Sequence, residues 1–505
     1  TTTTIKQSAT TNTPSINIQY ATGAAATSAW TNGELDAAAI ANGATTFGNV
    51  ANLTVSSNNG VDNDSTVDLG SLNGSAVLNS LTLNTSSDTG DTLDTGAITG
   101  VGLETLTINV DEANLTTGGG AFGSANELKT LTITNQDKDS SGDITVGTIG
   151  NVSAADELTV INITTNGDAD TSETGGGTVL SIGAITATRA TTGAAITDLT
   201  VNLAGQYGAS TIGAITGSAD IASINITTDT NGTSLGMGAI TPTFGSITGD
   251  VTINAGTDFT GTSTATGWIQ TEASGSVGNI SLTSGGTMAI SSTTGHELVG
   301  AATTVGNLSF NTLAAADSIT AGEVEQATTI GDITVTGLGS TTFYGAPAAT
   351  TIGNINVAVP AGETVSLNGD SGSIGTTGGV MGSTTVTGGG AFNMTIGAVT
   401  ALGNVDLSGL TGTAASSNIT LNDSTTVGVI YTGSDGSDVF VGTGGADVIT
   451  PGLGNDVVMT GTGGDTITLT ETVASADDIV ATPAGITLDS EANLDTVTGF
   501  TPGAN

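Results

Sequence analysis

One short setting for glycine recurs through most of this chain: a bulky apolar residue, Gly, a small or amide residue, then Ile, Val or Leu. It appears as Phe47-Gly48-Asn49-Val50, Leu69-Gly70-Ser71-Leu72, Ile149-Gly150-Asn151-Val152, Ile182-Gly183-Ala184-Ile185 and Ile212-Gly213-Ala214-Ile215. Further copies are Phe244-Gly245-Ser246-Ile247, Val277-Gly278-Asn279-Ile280, Val305-Gly306-Asn307-Leu308, Ile330-Gly331-Asp332-Ile333, Ile352-Gly353-Asn354-Ile355 and Ile396-Gly397-Ala398-Val399, with weaker ones at Gly96, Gly123 and Gly375. Successive glycines lie 22 to 33 residues apart, and the steps from Gly331 through Gly353 and Gly375 to Gly397 are each 22. A repeat of this length is one supersecondary unit that cannot bury its apolar face alone, so copies must stack on their neighbours.

Between the glycines lie alternating stretches such as Leu106-Thr107-Ile108-Asn109-Val110 and Leu199-Thr200-Val201-Asn202-Leu203. Such alternation puts Leu, Ile and Val on one face of a strand and Thr or Asn on the other. The chain has 77 Gly and 7 Pro, is rich in Thr, and almost lacks stretches with helical spacing, so it reads as all-β. The ladder predicts an irregular β-solenoid over residues 47–410, of about 14 rungs, with Gly at corners where chains approach closely. A string of β-sandwich domains is the competing architecture, but it would show turns every ~8–12 residues without the ladder. Residues 1–46 then form a first rung or an assembly arm, and 411–432 are connecting strands. A slim cross-section fits the aromatic content of 3%, aliphatic side chains filling it better than rings.

Charge and chemistry narrow the function. Four basic residues face 46 acidic ones, for a net charge of −42, which excludes a nucleic-acid binder. Charged residues are nevertheless only 10%, and the mean hydropathy of +0.20 is not that of a disordered acidic chain. With no Cys and one His, thiol chemistry, disulfides and multi-His metal sites are excluded. The lone histidine, His296, has no Ser/Asp signature around it and reads as a surface residue. No apolar run reaches the roughly 18 residues that span a bilayer, so no membrane insertion is expected.

A sharper period occupies residues 433–468, as four consecutive nonapeptides: GSDGSDVFV, GTGGADVIT, PGLGNDVVM and TGTGGDTIT. The sixth position is always Asp (Asp438, Asp447, Asp456, Asp465) and the eighth always apolar (Phe440, Ile449, Val458, Ile467). Glycines at Gly433, Gly436, Gly442, Gly444, Gly445, Gly452, Gly454, Gly461 and Gly463 expose backbone carbonyls, and Asp435 adds a carboxylate. Carbonyls plus carboxylates are the donor set of a hard cation, which takes six to eight oxygens at about 2.3–2.6 Å.

The nonapeptides resemble the repeats-in-toxin (RTX) motif G-G-x-G-x-D-x-U-x, which departs here at Ser434, Thr443, Pro451 and Thr460. The resemblance implies a parallel β-roll that binds Ca2+ through these residues, two nonapeptides to the turn, so that Asp438 stacks near Asp456 and Asp447 near Asp465. The fold expected of the whole is therefore a long β-solenoid body with a C-terminal calcium-binding β-roll. Asp495-Thr496-Val497-Thr498-Gly499-Phe500 is similar to a segment that often follows such rolls, making 469–505 a cap or secretion-related segment.

Other acidic pairs, Asp62 with Asp64, Asp137 with Asp139 and Asp168 with Asp170, alternate as calcium-binding loops do, although none fits a 12-residue EF-hand loop. Each is a second-rank cation candidate against the simpler reading of a solvated corner.

The whole resembles bacterial surface-layer (S-layer) proteins of the RTX type. That likeness implies a secreted structural protein, exported by type I secretion, that folds with calcium outside the cell and self-assembles into a two-dimensional lattice. Its expected partners are further copies of itself and, through a region not evident in this sequence, cell-surface lipopolysaccharide, which a net charge of −42 repels unless calcium bridges the two. An RTX adhesin or biofilm-matrix fibre is the alternative. A β-helix enzyme acting on polysaccharides is the third reading, weakened because acidic sugars are held by Arg or Lys and this chain has only Arg189, Lys6, Lys129 and Lys138.

Overall fold

Alternating side chains decide the architecture. In the strand Thr105–Val110, Leu106, Ile108 and Val110 are fully buried while Thr105, Thr107 and Asn109 sit half-buried on the other face. The computed structural model describes the strands from Thr3 to Thr498, and the segments between them most fully over residues 196–470. Most inter-strand residues before 196, among them Asp62, Asp64, Asp137, Asp139, Asp168 and Asp170, and most of residues 471–494 lie outside the described residues, as does His296. Among the described residues there is no helix. The chain is a parallel β-solenoid made of two compact units, Thr1–Thr262 and Ser263–Asn505.

In the first unit the long strands stack in register, like on like. Leu81 pairs with Leu106, Leu106 with Leu131, Leu131 with Ile161, Ile161 with Leu199, Leu199 with Ile224 and Ile224 with Val251. All seven are buried, each contributing about 1.5–3 kcal/mol. A second face carries Ile144–Val146, Leu180–Ile182, Ala209–Ile212 and Ser234–Met237. A third carries Ile149–Gly150, Ile185–Ala187, Ile215–Gly217 and Ile240–Pro242. The corner between these two faces is Gly183-Ala184 and its equivalents. There the Gly213 N–H donates to the Ile182 carbonyl at 2.8 Å, and a Cβ on Gly213 would lie 2.7 Å from the Ala184 nitrogen. Only glycine allows rungs to approach so closely.

The register corrects part of the expected ladder. Ile149 pairs with Ile185, so Gly147 and not Gly150 lies under Gly183. Likewise Gly238, rather than Gly245, stacks on Gly213.

The second unit uses the same signature at a different corner, between its short face (Ser276–Val277, Thr304–Val305, Thr329–Ile330, Thr351–Ile352, Val380–Met381, Ala401–Leu402) and its long strands. Here the amide residue has a function of its own. Asn279 Oδ1 accepts the Asn307 N–H at 2.8 Å, Asn307 Oδ1 that of Asp332 at 2.8 Å, Asp332 Oδ1 that of Asn354 at 2.7 Å, and Asn354 Oδ1 that of Ser383 at 3.1 Å. The rung lengths along this ladder are 28, 25, 22 and 29 residues. The glycine beside each amide is obligatory, since a Cβ on Gly331 would overlap Asn307 Oδ1. Gly382 and Gly403 continue this corner, whereas Gly375 and Gly397 stack on one another at another one. The three equal steps of 22 residues thus joined two corners.

The interior of this unit also takes rings, contrary to the expectation from a slim section: Trp268, Phe310, Phe343, Phe392, Tyr431 and Phe440 are fully buried. Among the described residues the short face ends at Ala401–Leu402, and the following rungs have two faces. Where the core narrows, Tyr431 stacks on Phe440 with ring centres 4.0 Å apart and planes at 20°.

Candidate metal centre

The two-faced rungs are the nonapeptides, and they extend the body without a break. Ser437–Val441 pairs in register with Ser416–Leu421 of the body, and Ile430–Thr432 with Val405–Leu410. Within the roll Phe440 lies opposite Val458, and Ile449 opposite Ile467. These eighth-position side chains are all buried, which fixes each strand's facing and brings the sixth-position Asp to the turn.

The carboxylates form two lines, one at each edge. The N–H of Asp438 donates to Asp456 Oδ1 at 2.9 Å, and that of Asp447 to Asp465 Oδ1 at 2.8 Å, each across 18 residues. The second line runs on at both ends: Asp447 Oδ1 accepts the Val429 N–H at 2.8 Å, and Asp495 Oδ1 that of Asp465 at 3.2 Å. All four sixth-position Asp residues are at least 98% buried (relative exposure 1–2%). Asp435 stands apart from both lines and is exposed.

Two departures from the repeat pattern prove to be contacts. Ser434 gives its N–H and hydroxyl to Asp438 at 2.6 and 2.9 Å, and Thr443 does the same for Asp447 at 2.8 and 2.8 Å. The other two turns keep glycine at that position, with left-handed backbone at Gly452 (φ 107°) and Gly461 (φ 92°), and again at Gly454 (φ 125°) and Gly463 (φ 137°). Their stacking is tight: a Cβ at Gly452 would overlap the Ser434 carbonyl oxygen, one at Gly461 that of Thr443, one at Gly433 that of Pro451 and one at Gly442 that of Thr460. Gly436 and Gly445 donate to the Ser434 and Thr443 hydroxyls at 3.0 and 3.1 Å, and the Gly444 carbonyl accepts from Thr462 at 3.4 Å. The sequence signal for Ser434 and Thr443 was a hydroxyl where the pattern calls for glycine, four residues before the Asp.

Electrostatics makes the arrangement unusual. Burial raises the Asp438 and Asp447 carboxyls above the ordinary carboxylate range, opposed by the bonds from Ser434 and from Thr443 and Val429. Asp465 is pushed up to about 6, first by burial and then by the like charges of Asp447 and Asp495. Burial lifts Tyr431 well above the usual phenol value, and the Asp438 charge adds to it. No Lys or Arg follows Arg189 in the sequence, so the second unit has no basic side chain of either kind to neutralise these acids. Buried charge without a partner is strongly unfavourable.

This is a parallel β-solenoid closed by a two-sided roll with buried carboxylate lines. A family model, the RTX calcium-binding nonapeptide repeat, matches residues 432–467 in four copies. The chain is thus a β-solenoid protein carrying RTX repeats, and the roll binds Ca2+. Searches among curated proteins and among solved structures gave no match.

The residues present fit the ion. Among the described residues no three His, Cys, Asp or Glu side chains converge, so carbonyls must supply most of the donors, as a hard cation allows. The close-stacked glycine turns bring carbonyls of successive turns together, and Asp465 Oδ2 is buried without a hydrogen-bond partner. Asp438 with Asp456 and Asp447 with Asp465 would hold calcium with these carbonyls, and the ion would supply the positive charge that the unit lacks.

Proposed function

We propose that this chain is a secreted, non-enzymatic structural protein that folds with calcium and self-assembles into a two-dimensional surface layer on a bacterial cell. The observation that carries the reading is the unbroken register between roll and body. Calcium in the roll neutralises charge in rungs whose strands are the continuation of the solenoid, so the ion organises the adjoining rungs as well as the roll. Export by type I secretion accords with a fold that waits for extracellular calcium. Copies of the same chain are the lattice partners, and anionic lipopolysaccharide is reached through calcium bridges, because a net charge of −42 repels it otherwise.

Electron microscopy of the purified chain in roughly millimolar calcium and in chelator tests this. Sheets or tubes that form only with calcium support the lattice; isolated particles in both conditions refute it.

A further inference from the structure

The Asp447–Asp465 line does not stop with the nonapeptides. Thr496–Thr498, outside the matched residues 432–467, pairs in register with Thr466–Thr468, setting Val497 opposite Ile467. Asp495 therefore stands where a sixth-position Asp would stand, although it lies 30 residues beyond Asp465 instead of 18. Its Oδ1 accepts the Asp465 N–H at 3.2 Å and its Oδ2 accepts the Thr460 hydroxyl at 3.0 Å. Thr460 is fully buried, Asp465 is 1% exposed, and Asp465 Oδ2 has no hydrogen-bond partner among the described residues.

We propose that Asp465 and Asp495, with the Thr460 hydroxyl, hold a further hard divalent cation at the last turn of the roll. Oxygen-only donors, two of them anionic, suit calcium and disfavour softer metals. The site pins a segment remote in sequence onto the final nonapeptide and so closes the roll with metal. Thr460, which replaces a glycine of the repeat pattern, is the residue that reaches across to Asp495. The inference rests on calcium binding by the roll and is independent of lattice formation.

The test is the number of calcium ions bound per full-length chain at saturation, measured by equilibrium dialysis for the parent, Asp495→Asn and Asp406→Asn. Asparagine keeps an oxygen to accept the Asp465 N–H, so a mere cap leaves the count unchanged. A cation site predicts about one ion fewer for Asp495→Asn, an unaltered count for Asp406→Asn, and retained hydrogen-exchange protection in Val457–Met459. An unchanged count for Asp495→Asn overturns the proposal. Loss of all bound calcium overturns it too, since Asp495 would then be a folding clamp for the whole roll.

Discussion

The main-chain N–H of Asp447 donates to Oδ1 of Asp465, 2.8 Å away and 18 residues further along the chain. One buried acid thus completes the backbone of the turn before it, and what neutralises that acid controls both turns.

Removing calcium leaves Asp438, Asp447, Asp456 and Asp465 buried with like charge and no counter-ion. Hydrogen exchange is expected to lose protection in Val448–Thr450, Val457–Met459 and Thr466–Thr468, and then in Ser416–Leu421, which pairs with the roll. Strands deep in the body, such as Ile333–Gly337, keep theirs, because a stacked array loosens from its end.

Acidity acts in opposite senses with and without the ion. The folded-state value for Asp465, about 6, lies above the ordinary 3.8, so the protonated acid stabilises the metal-free fold. That contribution is complete below the unfolded value and lost as pH rises through the folded one. In chelator, the near-ultraviolet dichroism of the Tyr431–Phe440 stack should strengthen as pH falls from 7 to 4.5. In calcium, affinity should weaken over the same window, as protons compete for the carboxylate.

Asp447 accepts from the Thr443 N–H, the Thr443 hydroxyl and the Val429 N–H. Asp447→Ala strands those buried donors and is expected to cost about 3 kcal/mol or more in calcium-loaded thermal unfolding. Asp447→Asn keeps an acceptor oxygen and should cost clearly less stability while still weakening calcium binding. Equal costs for the two would show that charge alone matters at this position.

Gly331→Ala drives a methyl into Asn307 Oδ1, and an overpacked corner of this kind costs about 1–3 kcal/mol. Gly362, with φ +84° and nothing within 4 Å of its added Cβ, pays only for a left-handed backbone, about 1 kcal/mol. Thermal melts of the two variants in calcium should fall in that order.

Much of this was legible in the sequence, for identifiable reasons. The inward faces of strands such as Thr105–Val110 follow directly from apolar alternation, and the nonapeptides keep constant spacing because identical turns must superpose. The rung register was harder to read. The setting bulky-Gly-small-apolar serves wherever two rungs pass too closely for a Cβ, and Gly213 and Gly306 meet that need at different corners, so spacing alone merged unlike positions. Ser434 and Thr443 looked like imperfections, since a pattern cannot show a hydroxyl turned toward a carboxylate. Thr460 and Asp495 were further hidden by the 30 residues that separate Asp465 from Asp495.

The two side-chain ladders run in opposite senses. In the body Asn279, Asn307, Asp332 and Asn354 each offer an acceptor to the rung that follows; in the roll Asp456 and Asp465 offer theirs to the turn that precedes. The rung at the junction therefore meets waiting acceptors from the calcium side, as Val429 does at Asp447. The array behaves as a zip with its slider at one end: loading with calcium seeds closure there, and withdrawing the ion frees the teeth from the same end.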